Sequence, residues 1–164
     1  MRKKVIKELT LKDFQYYGSF ANMLNPQTPK IGEKPIEFFR DMVLLELGTK
    51  TTASFSVCRV EKRPLVVDVT EFHSHCGEII LPLDGDVLMH VGIATPGKVN
   101  LDAIEIFRVP KGTVVSLRPG IWHHGPFAYN CDYVNTLIVL PERTYANDRV
   151  VYEIPEAERI EITQ

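Results

Sequence analysis

The chain has little of what would commit it to nucleic acid, to a membrane or to an oxidised scaffold. Its 19 Lys and Arg are balanced by 21 Asp and Glu, for a net charge of -2 over 164 residues. No positive excess is available to grip nucleic acid or an anionic lipid surface. No apolar run approaches the roughly 18 residues of a membrane span, and the opening, Met-Arg-Lys-Lys-Val-Ile-Lys-Glu, carries charge too early for a signal peptide. Cysteine is scarce: Cys58, Cys76 and Cys131 are odd in number and show no CxxC spacing. A disulfide framework is therefore not expected, and a reducing, cytoplasmic setting is. Cys58 and Cys131 read as small core residues, and Cys76 as a bystander. Repeats and low-complexity segments are absent.

Helical signal is also scarce. Thr10 can cap one short turn carrying Leu11, Phe14 and Tyr17, with Gly18 ending it. Residues 22–35 hold three prolines, two asparagines and a glycine and read as a long loop, the kind that forms an interface or covers a site. One domain over residues 1–164 is expected, with 1–35 as helix and arm.

What the chain does have is β pattern. Strands are predicted at 36–46, 52–60, 65–71, 78–83, 87–94, 103–109, 113–117, 131–140 and 150–154, rich in Val, Ile, Leu, Phe and Thr and separated by turn residues. Asp84-Gly85 predicts a tight hairpin and Pro96-Gly97 another turn. Many short strands with short connections imply an all-β sandwich or barrel, whose mouth can hold a ligand.

It also has four of its five histidines in two clusters, His73-Ser-His75-Cys-Gly-Glu78 and Trp122-His123-His124. Imidazole and carboxylate together suit a divalent first-row metal (Zn, Ni, Mn or Fe), and the residue types do not choose among these. His73 and His75 share a face if extended, and Gly77 can bend Glu78 toward them. His123 and His124 would point to opposite faces; the glycine spacing favours His123 as the ligand. The expected metal ligands are His73, His75, Glu78 and His123. His90, alternating with apolar neighbours, reads as an interior or interface histidine, and Trp122 as core or interface.

His-x-His-x2-Glu-x6-Gly, ending at Gly85, followed by Gly112-x5-Arg118-x-Gly120-x2-His123, resembles the paired motifs of the cupin superfamily. That resemblance implies a double-stranded β-helix (jelly-roll) barrel binding one metal. The gap before Glu78 is shorter than is usual there, and Arg118 stands where proline is common.

A closer resemblance is to the ureidoglycolate lyases. It is carried by Leu-Thr-Leu-Lys-Asp-Phe-Gln-Tyr-Tyr-Gly at 9–18, by Glu71-Phe-His73 through Ile-Leu-Pro-Leu-Asp-Gly-Asp-Val, by Trp122-His-His with Pro126-Phe-Ala, and by Tyr152-Glu-Ile-Pro-Glu-Ala-Glu. It implies a carbon–nitrogen lyase splitting ureidoglycolate into glyoxylate and urea, in the use of allantoin as a nitrogen source. The relatives carry Glu-Arg-His where this chain has Glu71-Phe72-His73, which predicts a missing cation at Phe72. Glu71 and His124 are then the expected proton carriers, and Arg59 and Arg118 the expected grips on a small acid substrate. A homodimer is expected. The rival expectations keep the barrel and metal but change the small acid and its chemistry (isomerisation, hydrolysis or oxygen-dependent cleavage), or make the chain a metal-free sensor.

Overall fold

The computed structural model describes residues 1–164. Its strands are β1 (Arg2–Glu8), β2 (Gly18–Asn22), β3 (Lys30–Ile31), β4 (Phe38–Phe39), β5 (Ala53–Glu61), β6 (Val66–Val67), β7 (Val69–Phe72), β8 (Glu78–Pro82), β9 (Val87–Val91), β10 (Glu105–Val109), β11 (Thr113–Leu117), β12 (Phe127–Ala128), β13 (Tyr133–Pro141), β14 (Val150–Glu153) and β15 (Ile160–Thr163). Two short helices, α1 (Leu11–Phe14) and α2 (Thr144–Asn147), lie among them.

Two main sheets are formed, in the orders β12-β9-β10-β1-β15-β6 and β2-β11-β8-β13-β5, and β7 pairs with β14 in a smaller one. Val87, Met89, Val91, Phe107 and Val109 from the first sheet meet Ile80, Val115, Leu117 and Val134 from the second in one buried cluster. This is the all-β jelly-roll expected from the sequence. The period-2 alternation of β-branched residues supplies an inward face for each sheet. Phe14 from α1 and Tyr17 from the turn after it plug one end of that core; Phe14 stacks edge-on against Phe107 at 5.2 Å. Thr10 caps α1 as predicted, its hydroxyl accepting from the Asp13 N–H at 3.1 Å.

Several expectations are corrected. The charged opening is a strand, with β1 lying parallel between β10 and β15. The predicted strand at 36–46 shrinks to Phe38–Phe39. Its apolar alternation instead lets Val43 and Leu45 pack irregularly on the outside of the second sheet, against Ile79, Val114 and Val139. The stretch 65–71 divides into β6 and β7, which join different sheets. Asp84-Gly85 is not a hairpin turn: β8 and β9 also belong to different sheets, and the dipeptide carries the chain across. Glycine is needed there for closeness, since a Cβ at Gly85 would lie 2.9 Å from Val134 Cγ2.

Candidate metal centre

The two motifs are joined first at the backbone. Glu71 N–H donates to the His123 carbonyl at 2.6 Å and His123 N–H returns the bond at 2.8 Å, while Gly120 N–H donates to the His73 carbonyl at 2.7 Å. Gly120 has φ 82°, a left-handed turn that suits glycine. Behind this junction, Thr70 Oγ1 donates to the His123 carbonyl at 3.2 Å and accepts from His90 Nε2 at 3.1 Å. His90 is an interior residue, and burial pushes its imidazolium pKa well below the ordinary value.

Glu71 and His73 are two apart at the end of β7 and point to one side, while Phe72 points to the other and stacks on Trp122 at 4.6 Å. A cation at position 72 would therefore face away from the site, so Phe72 removes nothing from it. The His73 ring and Glu78, at the start of β8, are both buried. His73 Nε2 lies 3.1 Å and His123 Nε2 2.9 Å from the same Glu78 Oε2.

The tautomers make this arrangement informative. His73 Nδ1 faces the Asp148 carbonyl at 2.6 Å and His123 Nδ1 faces the Ile121 carbonyl at 2.7 Å. A carbonyl only accepts, so each Nδ1 carries the hydrogen and each neutral ring aims a bare Nε2 lone pair at a carboxylate oxygen. With both rings neutral, three lone pairs converge with no proton between them. Two states relieve the conflict: imidazolium rings, or a cation held in common. Without a cation, burial pulls both groups toward neutrality, but their mutual attraction outweighs it. The Glu78 carboxyl is held down to about 2 and His123 is raised.

The donor set fits a divalent first-row metal. The 2.9 and 3.1 Å separations match the edge, about 3 Å, between octahedral neighbours each roughly 2.1 Å from one ion, and are shorter than the roughly 3.4 Å of a tetrahedral site. Glu71, His73 and His123 also offer ligand atoms lying within 4.8 Å of one another. Each ring's Nδ1–H bond to a backbone carbonyl is the outer-shell partner that a metal-binding imidazole commonly has.

His75 is not part of this group. Its side chain is 85% exposed and its Nδ1 faces Asp148 Oδ1 at 3.3 Å, because residues 73–77 leave the strand and turn the ring outward. The expected His73–His75 face is not formed, because β7 ends at Phe72; the pair sharing a face is Glu71 and His73. Read two residues earlier, the motif becomes Glu71-x-His73-x4-Glu78-x6-Gly85, and the gap before the glutamate lengthens as the cupin pattern expects.

Above the buried group lies a cavity of about 300 Å³ lined by Glu71, His73, Glu78, His124 and Arg149, with Ser54, Ser56 and Cys58 from β5 and Ile138, Leu140 and Tyr145 completing the wall. Arg149 Nε donates to Glu71 Oε2, and His124 Nε2 is 4.0 Å from the same oxygen. Burial lowers the His124 pKa, opposed by Glu71 and helped by Arg63. Arg59 and Arg118 are elsewhere. Arg59, on exposed β5 surface, donates to Asn135 Oδ1 at 2.8 Å and lies over Tyr133; Arg118 donates to the Gln15 carbonyl at 2.6 Å and pins the N-terminal turn. Arg149, which sequence reasoning missed, is the arginine in the cavity. It stands immediately before β14, whose Val151 pairs with Glu71, and its nearness to the site shows only once β14 is paired with β7.

A jelly-roll barrel with imidazoles and carboxylates gathered at one end of its interior is the cupin architecture. Two solved structures are similar to it in fold. A dTDP sugar isomerase from Desulfovibrio desulfuricans has TM-score 0.54 and 10% identity, over 85% of this chain and 86% of that one. A dTDP-6-deoxy-D-glucose-3,5-epimerase from Legionella pneumophila has TM-score 0.50 and 9% identity, over 85% and 80%. Bacillus subtilis oxalate decarboxylase aligns at TM-score 0.44 and 17% identity over 60% of this chain, which spans only 23% of that relative's length. Comparison with curated proteins gives no match. Within the cupins, this chain belongs to the ureidoglycolate lyase family, an enzyme family whose model matches residues 1–161.

Proposed function

We propose that the chain is a ureidoglycolate lyase, assisted by a divalent first-row metal, that releases glyoxylate and urea. The observation that carries this reading is the convergence of His73 Nε2, His123 Nε2 and Glu78 Oε2, all on buried residues, beneath a cavity rimmed by Glu71, His124 and Arg149.

Ureidoglycolate is a carbinolamide-like adduct. Its cleavage breaks the C–N bond, converts the carbinol C–O to a carbonyl, removes the hydroxyl proton and places a proton on the departing urea nitrogen. A metal held by His73, His123, Glu78 and Glu71 supplies Lewis-acid stabilisation of the developing oxygen charge when bound. The chain's own residues do the rest. His124, kept neutral by burial, takes the hydroxyl proton and returns it to the nitrogen, with the Glu71 carboxylate 4.0 Å away to favour the charge it gains. Arg149 grips the substrate carboxylate. Ile138, Leu140 and Tyr145 on the wall keep water from the exchange.

Incubating the purified protein with ureidoglycolate is expected to release glyoxylate and urea in equal amounts, faster than the spontaneous breakdown. Release at the background rate, with a metal bound, would reject the reading in favour of another small hydroxy or oxo acid. The apolar wall of Ile138, Leu140 and Tyr145 suits a substrate bulkier than ureidoglycolate.

The active form we propose is a homodimer. The chain exposes 9390 Å², against about 8,300 Å² for a monomer of its mass. The excess of about 1,100 Å² exceeds the roughly 800 Å² per partner of an ordinary interface. Phe55 and Val57 on β5, an edge strand, are exposed, and Phe55 shares an apolar surface groove with Phe39, Met42 and Val43. An edge free of charge at 51–58 is a ready partner for a second copy. Sedimentation is expected to give twice the chain mass, and Phe55→Glu to give monomer; a wild-type monomer would reject the dimer.

A further inference from the structure

We infer that Asp148 is a positioning residue that sets the tautomer and aim of His73; this rests on the reading of the site as a metal centre. Asp148 lies between α2 and β14, far from His73 in sequence, yet four of its contacts close on the short loop between β7 and β8. Its carbonyl accepts from His73 Nδ1 at 2.6 Å. Its carboxylate oxygens accept from the Ser74 and His75 N–H groups, each at 2.8 Å, and Oδ1 also meets His75 Nδ1 at 3.3 Å.

The division of labour between the two ends of this residue is the argument. The side chain fastens the Asp148 backbone to the loop that carries His73. The backbone carbonyl, so held, can be met only by a protonated Nδ1, which leaves Nε2 bare toward Glu78. The backbone of the loop is otherwise held at its two ends, where Gly120 N–H donates to the His73 carbonyl and Gly77 N–H to the Glu46 carbonyl, each at 2.7 Å; neither bond touches the His73 ring. The carboxylate is held chiefly by the pair of backbone N–H bonds: its side chain is 16% exposed, its only ion-pair partner is the His75 ring, and its other neighbour is Cys76 Sγ at 3.8 Å. The neighbouring residue applies the same logic to the carboxylate side of the site, since Arg149 Nε holds Glu71. His75, the histidine expected as a ligand, is instead a partner of Asp148 on the outside of this brace.

The test compares wild type, Asp148→Ala and Asp148→Asn loaded with Co²⁺ against a competing chelator. Asp148→Ala is expected to weaken Co²⁺ binding by about 10- to 100-fold, the usual effect of losing an outer-shell partner, and to change the visible Co²⁺ spectrum. Asp148→Asn keeps an acceptor for one of the two N–H groups and is expected to fall between. A melting temperature of the metal-free alanine variant near that of wild type keeps these effects apart from simple unfolding. Long-range ¹H–¹⁵N spectra of the neutral His73 ring supply a readout that needs no metal: a single Nδ1–H tautomer in wild type, a mixture in Asp148→Ala. An unchanged tautomer in Asp148→Ala overturns the inference. If wild type takes up no Co²⁺, the metal-centre reading fails, and the tautomer comparison still decides the role of Asp148.

Discussion

The two histidine clusters look alike on paper and are built on opposite principles. In Trp122-His123-His124 both rings belong to the site, at different depths: His123 is buried beneath the cavity, held by the Ile121 carbonyl, and His124 is on the cavity wall beside Glu71. In His73-Ser-His75 one ring enters and the other leaves. What separates the rings that enter the buried group from the one that does not is the partner of Nδ1. A backbone carbonyl fixes a ring as a lone-pair donor at Nε2, whereas the exposed His75 meets only a carboxylate at the surface. The comparison would break if His75 mattered as much as His73. His73→Ala and His123→Ala are each expected to lose the metal and about a thousandfold or more in turnover, on the scale of removing Lewis-acid stabilisation worth several kcal/mol. His75→Ala is expected to keep its metal and stay within about twofold in turnover. Metal analysis and initial rates on the three variants decide it.

The arginines repeat the comparison with a smaller effect. Arg149 opens into the cavity, while Arg59 and Arg118 are engaged by Asn135 and the Gln15 carbonyl on other surfaces. A charge-assisted contact to a substrate carboxylate is worth about 1.5–3 kcal/mol. Arg149→Ala is therefore expected to raise KM by about 10- to 100-fold, with Arg59→Ala and Arg118→Ala leaving it within about twofold. A KM unaffected at Arg149 would return the substrate grip to another group.

These contrasts also mark where the sequence could be read. Runs of β-branched and apolar residues bounded by turn residues exposed β5, β11, β13 and β14 nearly to their ends; in β13 the alternation also reports burial directly, whereas β11 is buried on both faces and β14 on neither. The same signal misled at 36–46, where one-sided burial is met by an irregular segment, and it was silent at β1, whose lysines and arginine are satisfied at the surface by Glu105, Glu161 and Asp102. In the site, composition and glycine spacing identified His73, Glu78 and His123 as a group. Which neighbour joined them depended on where β7 ends, a matter of one or two residues that no local pattern fixes, and so His75 stood in for Glu71. Arg149 and Asp148 reach the site through long-range pairing of β14 with β7, to which spacing along the chain is blind.

A last contrast is between two carboxylates that are both held acidic, by unlike means. Glu78 is buried and is stabilised by two imidazoles, whereas Asp84 lies at the exposed crossing between the sheets and is stabilised chiefly by the Asn135 N–H, at 2.8 Å, and by the Asn135 side-chain amide. Because the folded-state pKa of Asp84 lies below its ordinary 3.8, its ionised form favours the folded chain. That contribution is present above about pH 4 and is lost as pH falls through the folded-state value. Asp84→Asn is expected to lower the melting temperature by a few degrees at pH 7, since the amide can accept from only one Asn135 donor. The gap between variant and wild type should close as the pH is taken below about 3, where the wild-type carboxylate is itself protonated. A gap of the same size at pH 7 and pH 2.5 would mean that Asp84 acts through the shape of the crossing and not through its charge, leaving Glu78 as the carboxylate whose ionisation matters to the fold.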